Sequence, residues 1–146
     1  MKRILIAGAG LSASTMIHYL LEQAEQNDWE IVVGDISEDL ALSKINGNPR
    51  GKAIRFEVNN EFQRAREVQK ADVVISFLPA FMHPIIAREC VRWGKHMVTA
   101  SYVSKEMQEL HQEACNKNIS LLNELGVDPG IDHMSAMKVI NRVKAE

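Results

Sequence analysis

One stretch constrains this chain more than any other. Arg3 to Leu21, RILIAGAGLSASTMIHYLL, predicts a short buried strand, a glycine turn and an amphipathic helix in immediate succession. Ile4, Leu5 and Ile6 form a continuous apolar run, the pattern of a strand covered on both faces in a parallel sheet. Gly8-Ala9-Gly10-Leu11-Ser12-Ala13 then fits G-x-G-x-x-[GA]. Gly8 permits the tight turn, Gly10 lets the backbone approach a pyrophosphate, and Ala13 allows close contact between helix and strand. The free N–H groups of the first helical turn face the phosphates, with the positive end of the helix dipole behind them. A glycine turn alone can be a mere connection. Here it follows a buried strand and opens a helix with Ala13, Met16, Ile17, Leu20, Leu21 and Ala24 at three- and four-residue spacing, the context of a dinucleotide fingerprint.

The rest of the chain repeats this alternation. Trp29 to Gly34 is a second strand, with Asp35 at its end, about where the fingerprint expects an acid. A carboxylate there can accept hydrogen bonds from both adenosine ribose hydroxyls and would repel a 2′-phosphate. At about 4 Å and an effective dielectric near 20, each pair of unit charges is worth roughly 4 kcal/mol, less where solvent enters. Asp35 therefore favours NAD, with NADP still possible. The plainer reading is that Asp35 only supports the next helix, which has Ser37 as N-cap and Glu38 and Asp39 in its first turn. That helix runs to Ile45 and stops at Asn46-Gly47. A third strand spans Lys52 to Val58, and Glu57-Val58 at its end should lie beside the adenine. A weakly amphipathic helix over Asn60 to Lys70 should bury Phe62, Ala65 and Val68, leaving its charges solvated.

Asp72 to Leu78 is a second unambiguous buried strand. In a doubly wound sheet it crosses to the other side of the first, so Phe77, Leu78 and Pro79 either line the dinucleotide or are plain core at a strand end. A helix with Pro84 near its first turn and Gly94 past its end follows, with Ile86, Cys90 and Trp93 on one face. His96 to Ala100 is the fifth strand, and Ser101-Tyr102 at its carboxyl end faces the crevice where ligands of such sheets bind. Ser104 caps a helix to about Asn116 with Met107, Leu110 and Ala114 inward, and Ile119 to Asn123 supplies the sixth strand. The expected architecture is α/β, a doubly wound parallel Rossmann sheet in order 3-2-1-4-5-6 with helices on both faces.

The 146 residues suit a single domain, and 46% hydrophobic with 25% charged residues is an ordinary globular balance. A formal charge of −2 without a basic stripe argues against nucleic acid and anionic membrane. The apolar stretch Val73 to Met82 is too short to span a bilayer. Cys90 and Cys115 read as reduced thiols of a cytoplasmic protein, and the five histidines have no metal-ligand spacing, so no metal is expected.

The tail is more specific. In Asn123-Glu124-Leu125-Gly126-Val127-Asp128-Pro129-Gly130-Ile131-Asp132-His133, Asp128 reads as an N-cap and Pro129 as the first residue of a helix that continues toward Glu146 with Ile131, Met134, Met137 and Ile140 along it. NELGVDPGIDHMSAM, together with GAGLSAS, ADVVISFLP and VTASYVS, resembles the nucleotide-binding part of the glutamate-forming saccharopine dehydrogenase (saccharopine reductase) family. The resemblance covers essentially the whole chain. It implies nicotinamide-dependent interconversion of saccharopine with 2-aminoadipate semialdehyde and glutamate in lysine metabolism. It further implies cofactor contacts at Leu11, Ser12, Ala13, Ser14, Asp35, Ile36, Ser37, Glu57, Val58, Phe77, Thr99, Ala100, Val127, Asp128 and Pro129, beside Gly8 and Gly10. Ser101, Tyr102 and Asp128 would reach an amino acid substrate.

The chain departs from the family's NADP-using members, which carry a basic or hydroxyl-rich segment where Asp35-Ile36-Ser37 stands here. By the same resemblance, residues 1–130 form the dinucleotide domain, and 131–146 lead toward a substrate and dimerisation domain absent from this chain. An exposed apolar face on that helix would also permit homo-oligomerisation. No catalytic residue is assigned, and the chain alone is expected to be inactive. The competing readings are a nucleotide-sensing module without catalysis and a related imine reductase such as carboxynorspermidine dehydrogenase.

Overall fold

The computed structural model describes residues 1–145. Six strands, β1 (Lys2–Ala7), β2 (Trp29–Asp35), β3 (Gly51–Arg55), β4 (Val73–Ser76), β5 (His96–Thr99) and β6 (Leu121–Leu122), pair in parallel in the order β3-β2-β1-β4-β5-β6. This is the expected doubly wound topology. Its helices are α1 (Ser14–Ala24), α2 (Glu38–Ile45), α3 (Glu61–Lys70), α4 (His83–Trp93), α5 (Lys105–Glu109), α6 (His111–Asn116) and α7 (Ile131–Ala145).

The continuous apolar run of β1 is explained by a core on each face of the sheet. Ile4 and Ile6 pack with Ile17, Leu21, Ile31 and Val33 under α1 and α2, whereas Leu5 packs with Val32, Val68, Val74, Ile86 and Met97 under α3 and α4. Each large side chain buried in this way contributes about 1.5–3 kcal/mol. Cys90 belongs to the second core, and burial pushes its thiol up to about 12, so it packs and does not react. Ser37 and Ser104 cap α2 and α5 as expected, accepting from the N–H groups of Leu40 and Met107.

Several expectations are corrected. The third strand runs from Gly51 and ends at Arg55, short of the expected Val58; Phe56 just beyond it is 2% exposed in the core, and its N–H donates to the Asp35 carbonyl at 2.7 Å. Phe62 is 89% exposed instead of buried, and Met16 is exposed on α1. On α3 the inward position next to Val68 belongs to Glu67, which is 4% exposed and accepts from Arg3 at 2.9 Å and Arg66 at 2.8 Å. Those charges are paired, not merely solvated, and pairing is what makes a buried carboxylate tolerable. The helix after Ser104 is broken into α5 and α6 at Leu110.

The largest correction concerns the tail. Asp128 does not cap a helix and Pro129 is not helical: the Asp128-Pro129 peptide is cis, and α7 begins at Ile131. The carboxylate that accepts from the backbone there is Asp132, from the Gly130 N–H at 3.0 Å. No residue of α7 is buried, and Ile131, Met134, Met137 and Ile140 are all exposed. No helix among the described residues is long and apolar enough to cross a membrane.

Candidate functional site

The carboxyl ends of the strands carry the chemistry. Gly8 follows β1 with φ +101, and its N–H donates to the Gly34 carbonyl at 2.8 Å, tying the turn to β2. A Cβ on Gly8 would lie 3.0 Å from the Phe77 backbone, so a side chain is opposed by both conformation and space. Gly10 is different: its backbone is extended, and a Cβ there would meet nothing within 4 Å. The space beside Gly10 is open, and no hydrogen bond within the described residues uses the N–H groups of Leu11 or Ser12. Open space, unpaired N–H groups and the start of α1 together suit a pyrophosphate. Ala13 is fully buried against the sheet, the close helix–strand contact that its position requires.

Asp35 braces this turn. Its Oδ2 accepts from the Ala9 N–H at 2.8 Å and its Oδ1 from the Ser37 N–H at 3.0 Å, which joins the glycine turn to the start of α2. A carboxylate has about four lone-pair sites, so two remain for ribose hydroxyls. Gly8, Gly10, Asp35, Ile36, Glu57, Val58 and Phe77 share one crevice of about 290 Å3. Leu11, Ser12 and Ser37, which follow Gly10 and Ile36 in the chain, are exposed. Ser14 is partly covered, and its hydroxyl accepts from Lys44 of α2 at 2.8 Å, a cation near the turn with no sequence signal of its own.

The opposite end is built on β5 and the loop after β6. The Glu124 N–H donates to the Ser101 carbonyl at 3.0 Å, and the Leu125 N–H donates to the Thr99 carbonyl at 3.3 Å. These bonds hold Val127, Asp128 and Pro129 over the end of β5, with Ala100 against Gly126. Tyr102 donates its hydroxyl to Asp128 Oδ1 at 2.6 Å, and that bond to a carboxylate pushes the phenol above its ordinary pKa. Tyr102 and Asp128 are both exposed, so the pair faces outward. Asp128, Asp132 and His133 bring ligand atoms within 4.8 Å of one another, but Asp128 holds Tyr102 and Asp132 holds the Gly130 N–H and His133.

Between the two ends lies a residue that the sequence reading left among unplaced histidines. His83, in the first turn of α4, is 2% exposed. Its Nδ1 is 2.8 Å from Ser76 Oγ, and its Nε2 is 2.8 Å from Ser101 Oγ and 3.1 Å from Thr99 Oγ1. Thr99, expected at the cofactor, thus directs its side chain to His83 and is itself 2% exposed. The available signal was three hydroxyl residues at the ends of adjacent strands with a histidine opening the next helix.

Burial holds the His83 imidazole below its ordinary value, and the groups bonded to it are uncharged hydroxyls. The unfolded chain therefore binds this proton more readily than the folded one. Stability is full above about pH 6.5 and declines as pH falls below it. Thermal melts between pH 7 and pH 5 should show Tm falling with pH, and His83→Gln should flatten that slope. An unchanged slope would mean that His83 does not carry the effect.

A sequence model of the family described as the saccharopine dehydrogenase NADP binding domain matches residues 4–122. The chain is 38% identical over 143 residues to a Schizosaccharomyces pombe saccharopine dehydrogenase [NADP(+), L-glutamate-forming], covering 98% of this chain and 31% of that protein. It is 39% identical over 120 residues to an Arabidopsis thaliana alpha-aminoadipic semialdehyde synthase, covering 82% of this chain and 11% of the relative. Among solved structures, apo saccharopine dehydrogenase (L-Glu forming) from Saccharomyces cerevisiae superposes with a TM-score of 0.90 at 31% identity, over 99% of this chain and 32% of that one. The chain thus spans a third or less of the length of these relatives. From the residues matched and the extent of the superposition, the chain belongs to the saccharopine dehydrogenase NADP binding domain family.

Proposed function

We propose that this chain is the dinucleotide-binding domain of an oxidoreductase that interconverts saccharopine with 2-aminoadipate semialdehyde and glutamate. The observation that carries the reading is the Tyr102–Asp128 pair, 2.6 Å apart, set at the carboxyl end of β5 in a domain whose glycine turn is open for a pyrophosphate. A nucleotide sensor would need the turn but not this corner. When bound, the nicotinamide supplies the hydride chemistry. The chain's own residues bind and orient: the Leu11 and Ser12 N–H groups take the pyrophosphate and Asp35 the adenosine ribose. Ser101 and the Tyr102–Asp128 pair take the amino acid end of the substrate. Residues 131–146 lead toward a substrate domain that would cover the exposed apolar residues of α7, and the same face could instead join two copies of the chain. Saccharopine added to the dinucleotide-loaded chain should shift the amide resonances of Ser101, Tyr102 and Asp128. Dinucleotide binding with no such response would favour the sensor.

Within this reading the cofactor is NAD(H). A 2′-phosphate at the ribose would meet the Asp35 carboxylate, with Glu38 and Asp39 in the next helical turn. Even a quarter of the roughly 4 kcal/mol contact repulsion is about a fivefold preference. The second reading, NADP(H), is favoured by the names of the relatives and by Arg55, an exposed cation in register with Asp35 across β2 and β3. Calorimetric titration separates the two. Tighter NAD+ binding, lost in Asp35→Asn, supports the first, whereas tighter NADP+ binding, lost in Arg55→Ala, replaces it with the second.

A further inference from the structure

The corner that would receive an amino acid contains more hydroxyls than it can offer. Tyr102 commits its proton to Asp128, so it is not the donor for a substrate carboxylate. Thr99 is 2% exposed and bonded toward His83. Ser101 is half-buried just past the carboxyl end of β5, where ligands of doubly wound sheets bind, and its hydroxyl is held from within, 2.8 Å from His83 Nε2.

What sets that position is His83. Ser76, at the end of β4, is 1% exposed, and its hydroxyl is 2.8 Å from Nδ1. One side of the imidazole is committed to Ser76, leaving only Nε2 for Ser101 and Thr99. Presenting Ser101 to a carboxylate requires the proton on Nε2, with the Ser76 hydroxyl donating to Nδ1, so that Ser101 Oγ accepts and keeps its own proton for that carboxylate. An imidazole pinned at one nitrogen, rooted in the first turn of α4 and only 2% exposed, has little freedom to rotate. The Ser101 backbone is also held, since its carbonyl accepts from the Glu124 N–H and its own N–H lies 3.4 Å from Thr99 Oγ1. Ser101 is therefore tied on its inner side through both backbone and side chain.

We propose that His83, anchored by Ser76, is a positioning residue that fixes the Ser101 hydroxyl for the carboxylate of an α-amino acid, while Asp128 takes the ammonium group. The proposal rests on the reading of this corner as the substrate end. A hydroxyl already held on one side loses less rotational freedom on binding, and that pre-organisation raises affinity. The division of labour also follows from charge: the exposed Asp128 carboxylate attracts an ammonium and repels a carboxylate, which leaves Ser101 as the neutral partner for the negative end.

The test uses the chain loaded with NAD+, with L-glutamate and saccharopine as probes. Two side-chain replacements are compared: His83→Phe, which keeps bulk and removes both nitrogens, and His83→Gln, which keeps a polar head near the Nε2 position. In the parent chain the Ser101 side chain should occupy one rotamer, read from its Hα–Hβ couplings. In His83→Phe it should average over rotamers, and glutamate affinity should fall roughly tenfold, the loss of about one hydrogen bond. Dinucleotide affinity should stay the same, and His83→Gln should recover most of the glutamate affinity. A single Ser101 rotamer in His83→Phe, or equal losses for glutamate and dinucleotide, overturns the positioning role. If His83→Phe does not fold, Ser76→Ala, which releases the anchor without emptying the site, must mobilise Ser101 or the role is likewise overturned. If neither probe binds the parent chain, the substrate reading of the corner fails, and the rotamer measurement still decides what His83 does.

Discussion

Gly10→Val is expected to weaken dinucleotide binding roughly 10- to 100-fold while leaving Tm within about 2 °C of the parent chain. The two effects separate because the backbone of Gly10, at φ −60 and ψ 178, is one that any residue adopts, and a Cβ there meets no protein atom within 4 Å. Nothing in the fold opposes the side chain; only a ligand lying against the turn would. Keeping a pyrophosphate away from the Leu11 and Ser12 N–H groups removes at least one charge-assisted hydrogen bond, worth about 1.5–3 kcal/mol. Calorimetry with NAD+ and a thermal melt on the same sample check both halves. Unchanged affinity would show that the open space beside Gly10 is not where the phosphates lie.

Gly8→Ala should behave in the opposite way, costing roughly 1–3 kcal/mol of stability and lowering Tm by about 4–10 °C. Its φ of +101 is outside the range that L side chains favour, and the added Cβ would press to 3.0 Å on the Phe77 carbonyl group at the end of β4. That contact joins β1 to the strand on the other side of the crossover, so relief would have to move β4 or the turn itself. Loss of dinucleotide binding in this variant would follow from the displaced turn. A melt indistinguishable from that of the parent chain would mean that the turn can relax without β4.

The contrast between two glycines in one motif illustrates what could be read from the chain. G-x-G-x-x-A in its strand–helix setting was enough to place the turn, and the apolar runs of β1, β2 and β4 were enough to order the sheet, because burial on both faces leaves a continuous signal. Signals that depend on a partner distant in sequence were not legible. Phe62 has the spacing of a core residue, but the inward place on α3 is taken by Glu67, whose burial is made tolerable by Arg66 beside it and by Arg3, which approaches from β1 and is distant in sequence. Pro129 after Asp128 looks like the start of a helix; the cis peptide and the bonds of residues 126–132 begin the helix at Ile131 instead, and put Asp128 at Tyr102. His83 was invisible for the same reason: its partners Ser76, Thr99 and Ser101 are seven to eighteen residues away and converge only when β4 and β5 pair.

Asp35 falls between these cases. Its distance from the glycines marked it for the ribose, and the alternative gave it to the helix that follows. Its two oxygens hold Ala9 and Ser37, a brace that serves the second role and leaves lone pairs for the first.

The most direct measurement is residue-resolved: amide resonances of the labelled chain followed through a titration with NAD+. Binding at the glycine turn predicts saturable shifts at Gly10 to Ser14, Asp35 to Ser37 and Glu57-Val58, with saccharopine then extending them to Ser101, Tyr102 and Asp128. Shifts confined to the wider depression of about 520 Å3 around Met107, His111 and Leu121, or no saturable shift at all, would contradict it.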